Sequence, residues 1–219
     1  MSESVEMYLL TIYRLNLEGE RAGIARLASR LGVSAASSTE MIKKLAERGL
    51  VQKNGKGLML TQAGEQLALG VIRKHRLAER LLTDCLKLPW DVAHEQSCRL
   101  EHILSDEVAD ALEVFLHHPA TCPHGHPIPN RDGKLHLSAA TPLSECREGD
   151  RAVVDRVIEE SMEVLRYLEE VGLHPGRELL VQQVGPFQGP LLIRLADRPV
   201  ALSREVASQV LVRTPEESA

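Results

Sequence analysis

Apolar residues recur at helical spacing through the first half of the chain. Val5, Leu9, Ile12 and Leu15 form one stripe, widened by Met7 and Leu10, and predict an amphipathic helix over residues 3–18 that stops near Gly19. A second helix is expected from Ile24 to Leu31, closed by Gly32. Ser34, a good N-cap, opens a third, whose buried face is set by Met41, Ile42 and Leu45. Gly49 followed by Leu50 fits a helix-ending Schellman arrangement. Helix, tight glycine-containing turn, helix is the helix-turn-helix pattern. Val51–Lys53 and Leu58–Leu60 then flank Asn54-Gly55, a favoured type I′ pair, so a β-hairpin follows.

The pattern lengthens beyond the hairpin. Thr61 is placed to cap a helix running to about Leu88, with Leu67, Val71, Leu77, Leu81 and Leu82 apolar. Leu88-Pro89-Trp90 breaks it. A further helix is expected from Asp91 to about His117, carrying Leu100, Ile103, Leu104, Val108, Leu112 and Phe115. Two helices with this much apolar surface predict a twofold dimer core. Residues 119–143 hold five of the 11 prolines and little periodicity, and read as loop and linker. After them come strand-like runs at Ala152–Ile158, Glu178–Val184, Pro190–Leu195 and Gln209–Arg213, with a short helix at Glu159–Val171 before Gly172. Several short strands and one helix predict a small β-barrel.

Charge changes the picture at one end only. Residues 1–76 carry 12 Lys and Arg against 7 Asp and Glu, whereas the remainder carries 14 against 24. Local basicity on a helix-turn-helix points to a polyanion partner there. In that motif the second helix enters the DNA major groove by its N-terminal residues. Here those are Ser34, Ala35, Ala36, Ser37, Ser38, Thr39 and Glu40, with Lys43 and Lys44 one turn later. Lys53 and Lys56 flank the hairpin tip, as in a wing that lies along the phosphate backbone. Pattern, wing and local charge agree on DNA binding over a three-helix core with solvated lysines.

Candidate chemistry clusters between residues 73 and 105. His75 and Glu79 are four apart and share a helix face. At about 100° per residue, Glu101, His94, Cys98 and His102 fall near −20°, 0°, 40° and 80°, a single stripe of metal-ligand side chains. Each alone reads as packing or a solvated face; jointly they point to metal. The four cysteines form no CxxC pair, which argues against a disulfide framework or a zinc ribbon. Cys122, His124 and His126 read as an ordered loop rather than a zinc fragment. No apolar run reaches the length of a membrane span and no signal peptide is seen, so the cytoplasm is expected.

Taken together, Glu6-Met7-Tyr8-Leu9, the run Arg73 to Leu82, His94-x-x-x-Cys98-Arg99-x-Glu101-His102 and the loop Cys122 to Pro129 resemble the diphtheria toxin repressor family of metal-dependent regulators. The resemblance covers essentially the whole chain. It implies a mainly α fold with small β parts: a winged helix-turn-helix at 1–72, a helical dimerisation and metal-binding domain with linker at 73–140, and a C-terminal SH3-like β-barrel at 141–219. It also implies that a divalent metal activates a homodimer for operator binding. By position, one metal site would use His75, Glu79 and His94, and the other Met7, Cys98, Glu101 and His102. The family's C-terminal acid and amide fall here on Arg156 and Glu159, a departure that leaves Glu159 or Glu160 as substitutes. Ala36 and Glu40 also depart from the iron regulators' proline and glutamine, which implies a different operator.

Imidazole, thioether and thiolate suit softer metals, and manganese regulators of the family place acids at Met7 and Cys98, so Fe(II) is expected ahead of Mn(II). Two other readings compete: a hydrolytic metalloenzyme, for which no H-E-x-x-H motif is present, and a winged-helix regulator with an organic effector and only structural metal.

Overall fold

The computed structural model describes residues 2–55, 57–135, 138–158 and 161–215. Lys56, Glu159 and Glu160 lie outside the described residues. The chain divides into two compact units: residues 1–75 with 100–109 and 129–135, and residues 76–99 with 110–128 and 136–219.

The first unit contains α1 (Glu3–Leu17), α2 (Ile24–Leu31), α3 (Ala35–Glu47), the hairpin β1 (Val51–Asn54) and β2 (Gly57–Leu60), and most of α4 (Gln62–Arg80). Leu9, Ile12 and Leu15 from α1, Leu27 from α2 and Leu45 from α3 are fully buried together. Burying such side chains contributes roughly 1.5–3 kcal/mol each, which is what draws the three amphipathic helices onto one core. Gly32 adopts the left-handed conformation (φ 65°) and ends α2. Ser34 Oγ accepts from the Ser37 amide at 3.1 Å and starts α3. Thr61 caps α4 by accepting from the Gly64 amide.

The hairpin differs from expectation in its turn. Asn54 pairs with Gly57, so Asn54 belongs to the ladder and the turn lies after it, one residue later than Asn54-Gly55 predicts.

The second unit begins with the last turn of α4 and a π-turn at Leu81–Cys85, where the sequence predicted regular helix to Leu88. The single helix expected from Asp91 to His117 is two, α5 (Trp90–Leu100) and α6 (Asp106–Phe115). Ser105 Oγ accepts from the Val108 amide, and Asp106 and Glu107 occupy the first turn, where negative charge favours a helix start. Continuous apolar spacing concealed this cap.

The second unit also holds a six-stranded antiparallel sheet of β3 (Thr141–Pro142), β4 (Arg151–Val157), β5 (Glu178–Val184), β6 (Leu191–Leu195), β7 (Arg198–Leu202) and β8 (Val210–Arg213), ordered β3-β8-β4-β5-β6-β7. Among the described residues no pairing joins the outer strands β3 and β7. The helices α7 (Met162–Val171) and α8 (Arg204–Ser208) accompany the sheet. β7 escaped the sequence reading because Pro199 interrupts an already short run, a residue tolerated at a sheet edge. Val154, Val181, Ile193 and Val210 bury against Leu165 and Leu168 of α7, and Trp90 of α5 joins that core.

Candidate functional site

Within the second unit, three elements converge on Glu79. Its side chain, in the last turn of α4, is fully buried. His94 on α5 places Nδ1 2.9 Å from Glu79 Oε1, and His124 places its own Nδ1 3.3 Å from the same oxygen. The ligand atoms of the three residues all lie within 4.8 Å of one another. A buried carboxylate flanked by two imidazoles is a donor set that suits a first-row divalent ion.

Each side chain is held in place by its neighbours. The His124 loop is pinned to α4 by Arg76 and Arg80, whose guanidinium groups donate to the carbonyls of Pro127, Thr121 and Cys122. On the other side the Val157 amide of β4 donates to the His124 carbonyl at 3.0 Å. Gly125 (φ 90°) lets the loop lie flat, since a Cβ there would stand 2.1 Å from the Asp155 carbonyl oxygen. His94 is aimed by the start of α5, where the Trp90 amide donates to Glu169 Oε2 at 3.0 Å and Arg166 Nε donates to Asp91 at 3.0 Å. The Arg166 guanidinium holds the Asp91 carboxyl below the usual carboxylate range. Trp90 lies edge-on to both His124 and His174, and burial pushes the His174 imidazole down.

Within the first unit a second constellation forms. Glu6 Oε2 is 2.6 Å from His102 Nδ1, His102 Nε2 is 3.3 Å from Glu101 Oε1, and Glu101 Oε2 is 2.6 Å from His75 Nδ1. Carboxylate and imidazole therefore alternate through four residues drawn from α1, α4 and the turn after α5. Met7 follows Glu6 on α1 and is 37% exposed. In the second unit, Cys98 is exposed on α5, with Sγ 3.9 Å from His94 Nε2. These close approaches group His75 with Glu101 and His102, and Glu79 with His94 and His124. Two members were missed from sequence: Glu6, read only as part of a motif, and His124, read as loop. Arg156, at one position implied for a C-terminal ligand, instead engages Ser138 and Asp155.

Ser34, the N-cap of the reading helix α3, and Ala36, Ser37, Thr39, Glu40, Lys43 and Lys44 on it are exposed, as is Lys53 on β1. Ser38 is not. It is fully buried with Oγ 2.9 Å from the Tyr8 hydroxyl, so this candidate DNA contact is a core hydrogen bond. It faces inward because Ser38, Ile42 and Leu45 share one side of the helix. Glu40 pairs with Lys44 at 3.0 Å.

Three family models match in series: the N-terminal DNA binding domain of iron dependent repressors (residues 1–58), their metal binding and dimerisation domain (61–130) and the FeoA domain (141–214). The iron-dependent repressor IdeR of Mycobacterium leprae is 34% identical over 96% of both chains. The chain belongs to the diphtheria toxin repressor family. A diphtheria toxin repressor of Corynebacterium glutamicum is 33% identical over 98% of this chain and 97% of its own. The solved structure of a manganese-dependent transcriptional repressor in complex with manganese superposes with a TM-score of 0.85 at 32% identity, over 96% of this chain and 100% of that one. As a member of the diphtheria toxin repressor family, the protein is a metal-dependent, DNA-binding transcriptional repressor. Both iron- and manganese-dependent relatives occur among its matches. Among the described residues no helix is long and apolar enough to cross a membrane.

Proposed function

We propose that the chain represses metal-homeostasis genes from the cytoplasm by binding an operator as a homodimer when loaded with divalent metal, ferrous iron ahead of manganese. The observation that carries this is the buried Glu79 carboxylate with His94 and His124 around it. A site of two imidazoles and a carboxylate fits the group, and a metal bound there supplies the positive charge that these donors share. His75, one helical turn before Glu79 on α4, is the remaining candidate for this site.

The second ligand set is Met7, Cys98, Glu101 and His102. Glu6 orients the His102 imidazole through Nδ1, in the manner of an outer-shell carboxylate, and leaves Nε2 to face the ligand position. Thioether and thiolate favour iron over manganese there. Because Met7 rides on α1, whose Tyr8 bonds Ser38 of α3, a ligand bond at Met7 bears directly on the reading helix. Glu159 or Glu160 supplies a further carboxylate from the C-terminal domain. For the dimer, Ile103 and Val108 of the first unit expose apolar side chains suited to a second copy, as do Val114 and Phe115 of the second.

The coupling between metal and DNA is expected at about 1–3 kcal/mol, roughly 5–150-fold in affinity. Fluorescence anisotropy on duplexes selected from a random pool tests the reading. Chelator-treated protein should bind weakly, and anaerobic Fe(II) should restore binding at lower concentration than Mn(II). A response to metabolite pools with no response to metal would favour an organic effector.

A further inference from the structure

The C-terminal domain carries a feature that metal sensing does not use. Residues 141–219 hold nine arginines and no lysine, against 14 acidic residues. Four of the nine, Arg151, Arg177, Arg194 and Arg198, line one groove of about 520 Å³, with Glu178 as the single carboxylate lining it among the described residues. Strand register explains the gathering. Arg151 on β4 pairs with Leu180 on β5, and Leu180 pairs with Arg194 on β6. Cross-strand partners project to the same face, so both guanidinium groups flank one leucine. Arg198 opens β7 opposite Leu195, and Arg177 immediately precedes β5. All four are exposed, and among the described residues none of them makes a salt bridge.

Like charges gathered with no salt-bridge partner among the described residues oppose folding, and an acidic domain had many carboxylates with which to neutralise them. The groove's chemistry is that of an anion receptor. Arginine's planar fork matches phosphate oxygens two at a time, which lysine cannot do. The volume lies within the range of small-molecule sites, about 300–1,000 Å³. Leu180, Leu195 and Pro215 add apolar lining for an uncharged body. A nucleic-acid duplex or an acidic peptide would run beyond the groove onto a domain of net negative charge, whereas a small anion meets four arginines against the one carboxylate of Glu178.

We infer that this groove binds a small phosphorylated ligand of nucleotide size, carrying two or more phosphate groups. The test is calorimetry on the full chain, metal-free and without magnesium, using ATP, inorganic triphosphate and adenosine as probes. ATP and triphosphate should bind and adenosine should not. Arg151→Ala and Arg194→Ala should each weaken ATP by about tenfold or more. Arg194→Lys, which keeps charge and loses the fork, should fall between. These exposed positions lie outside the reading helix and the metal residues, so operator binding by the variants reports that the fold is intact. Absence of ATP binding, equal binding by adenosine, or ATP affinity unchanged in the double alanine variant would overturn the inference. So would displacement of ATP by a glutamate-rich peptide or a random-sequence duplex at equal concentration.

Discussion

His124 sits 3.3 Å from the Glu79 oxygen that also lies 2.9 Å from His94, although 45 positions separate His124 from Glu79 in the sequence. A loop residue therefore completes a cluster otherwise built on two helices. Replacing His124 with alanine should weaken Co(II) binding, followed by absorption spectroscopy, by about 10–100-fold, a range typical even of outer-shell losses. Unchanged Co(II) affinity and spectrum would remove His124 from the site.

Gly125 tests how that loop is held. An added Cβ would stand 2.1 Å from the Asp155 carbonyl oxygen, and the backbone is at φ 90°. Gly125→Ala should cost about 1–3 kcal/mol in denaturant unfolding, as overpacking does. It should also lower Co(II) affinity, since the loop must move and take His124 with it. Full stability with native metal affinity would contradict the pinned-loop description.

The start of α5 is tied to α7 by Asp91 and Arg166, and this gives a pH signature. The folded-state pKa of Asp91 is depressed, so the pair stabilises the fold above the unfolded value, about 3.9. That stability is lost as pH falls through the folded value. Asp91→Asn should therefore be less stable than the parent at neutral pH, and the gap should close on acidification below about pH 4. A gap independent of pH would show that the charge of Asp91 contributes nothing.

Ser38 and Lys43 separate stability from recognition on α3. Ser38→Ala removes the Tyr8 hydrogen bond and should cost about 1 kcal/mol of stability with no change in the salt dependence of DNA binding. Lys43→Ala should leave stability within about 0.5 kcal/mol. It should lower the salt-dependence slope by about 1, the signature of a lost phosphate contact. The reverse pattern would mean that the buried and exposed faces of α3 have been misassigned.

Much of this was legible in the chain. Helical spacing and the Gly32, Ser34 and Gly49 signals located α2 and α3, because local periodicity and capping decide those elements. The metal-ligand types at residues 75–102 were legible because helix geometry fixes which residues share a face. What could not be read depended on contacts distant in sequence. Glu6 meets His102 across 96 positions, and His124 reaches Glu79 only because β4 and two arginines of α4 fix its loop. The break between α5 and α6 was legible in Ser105-Asp106-Glu107, but the apolar pattern runs through it. Ser38 looked like a DNA contact because hydroxyls commonly are, although its spacing from Ile42 and Leu45 puts it on the buried side of α3, where Tyr8 is its partner.

Metal held by the proposed ligands, Met7 and Cys98 among them, is expected to govern DNA binding. The most direct measurement is the ratio of operator affinity with and without Fe(II), in the parent chain and in a Met7→Ala/Cys98→Ala variant of matched stability. The expected ratio is roughly 5–150 in the parent, falling toward 1 in the variant. A parent that binds operator equally well with chelator and with metal, or a variant that keeps the full ratio, would contradict it.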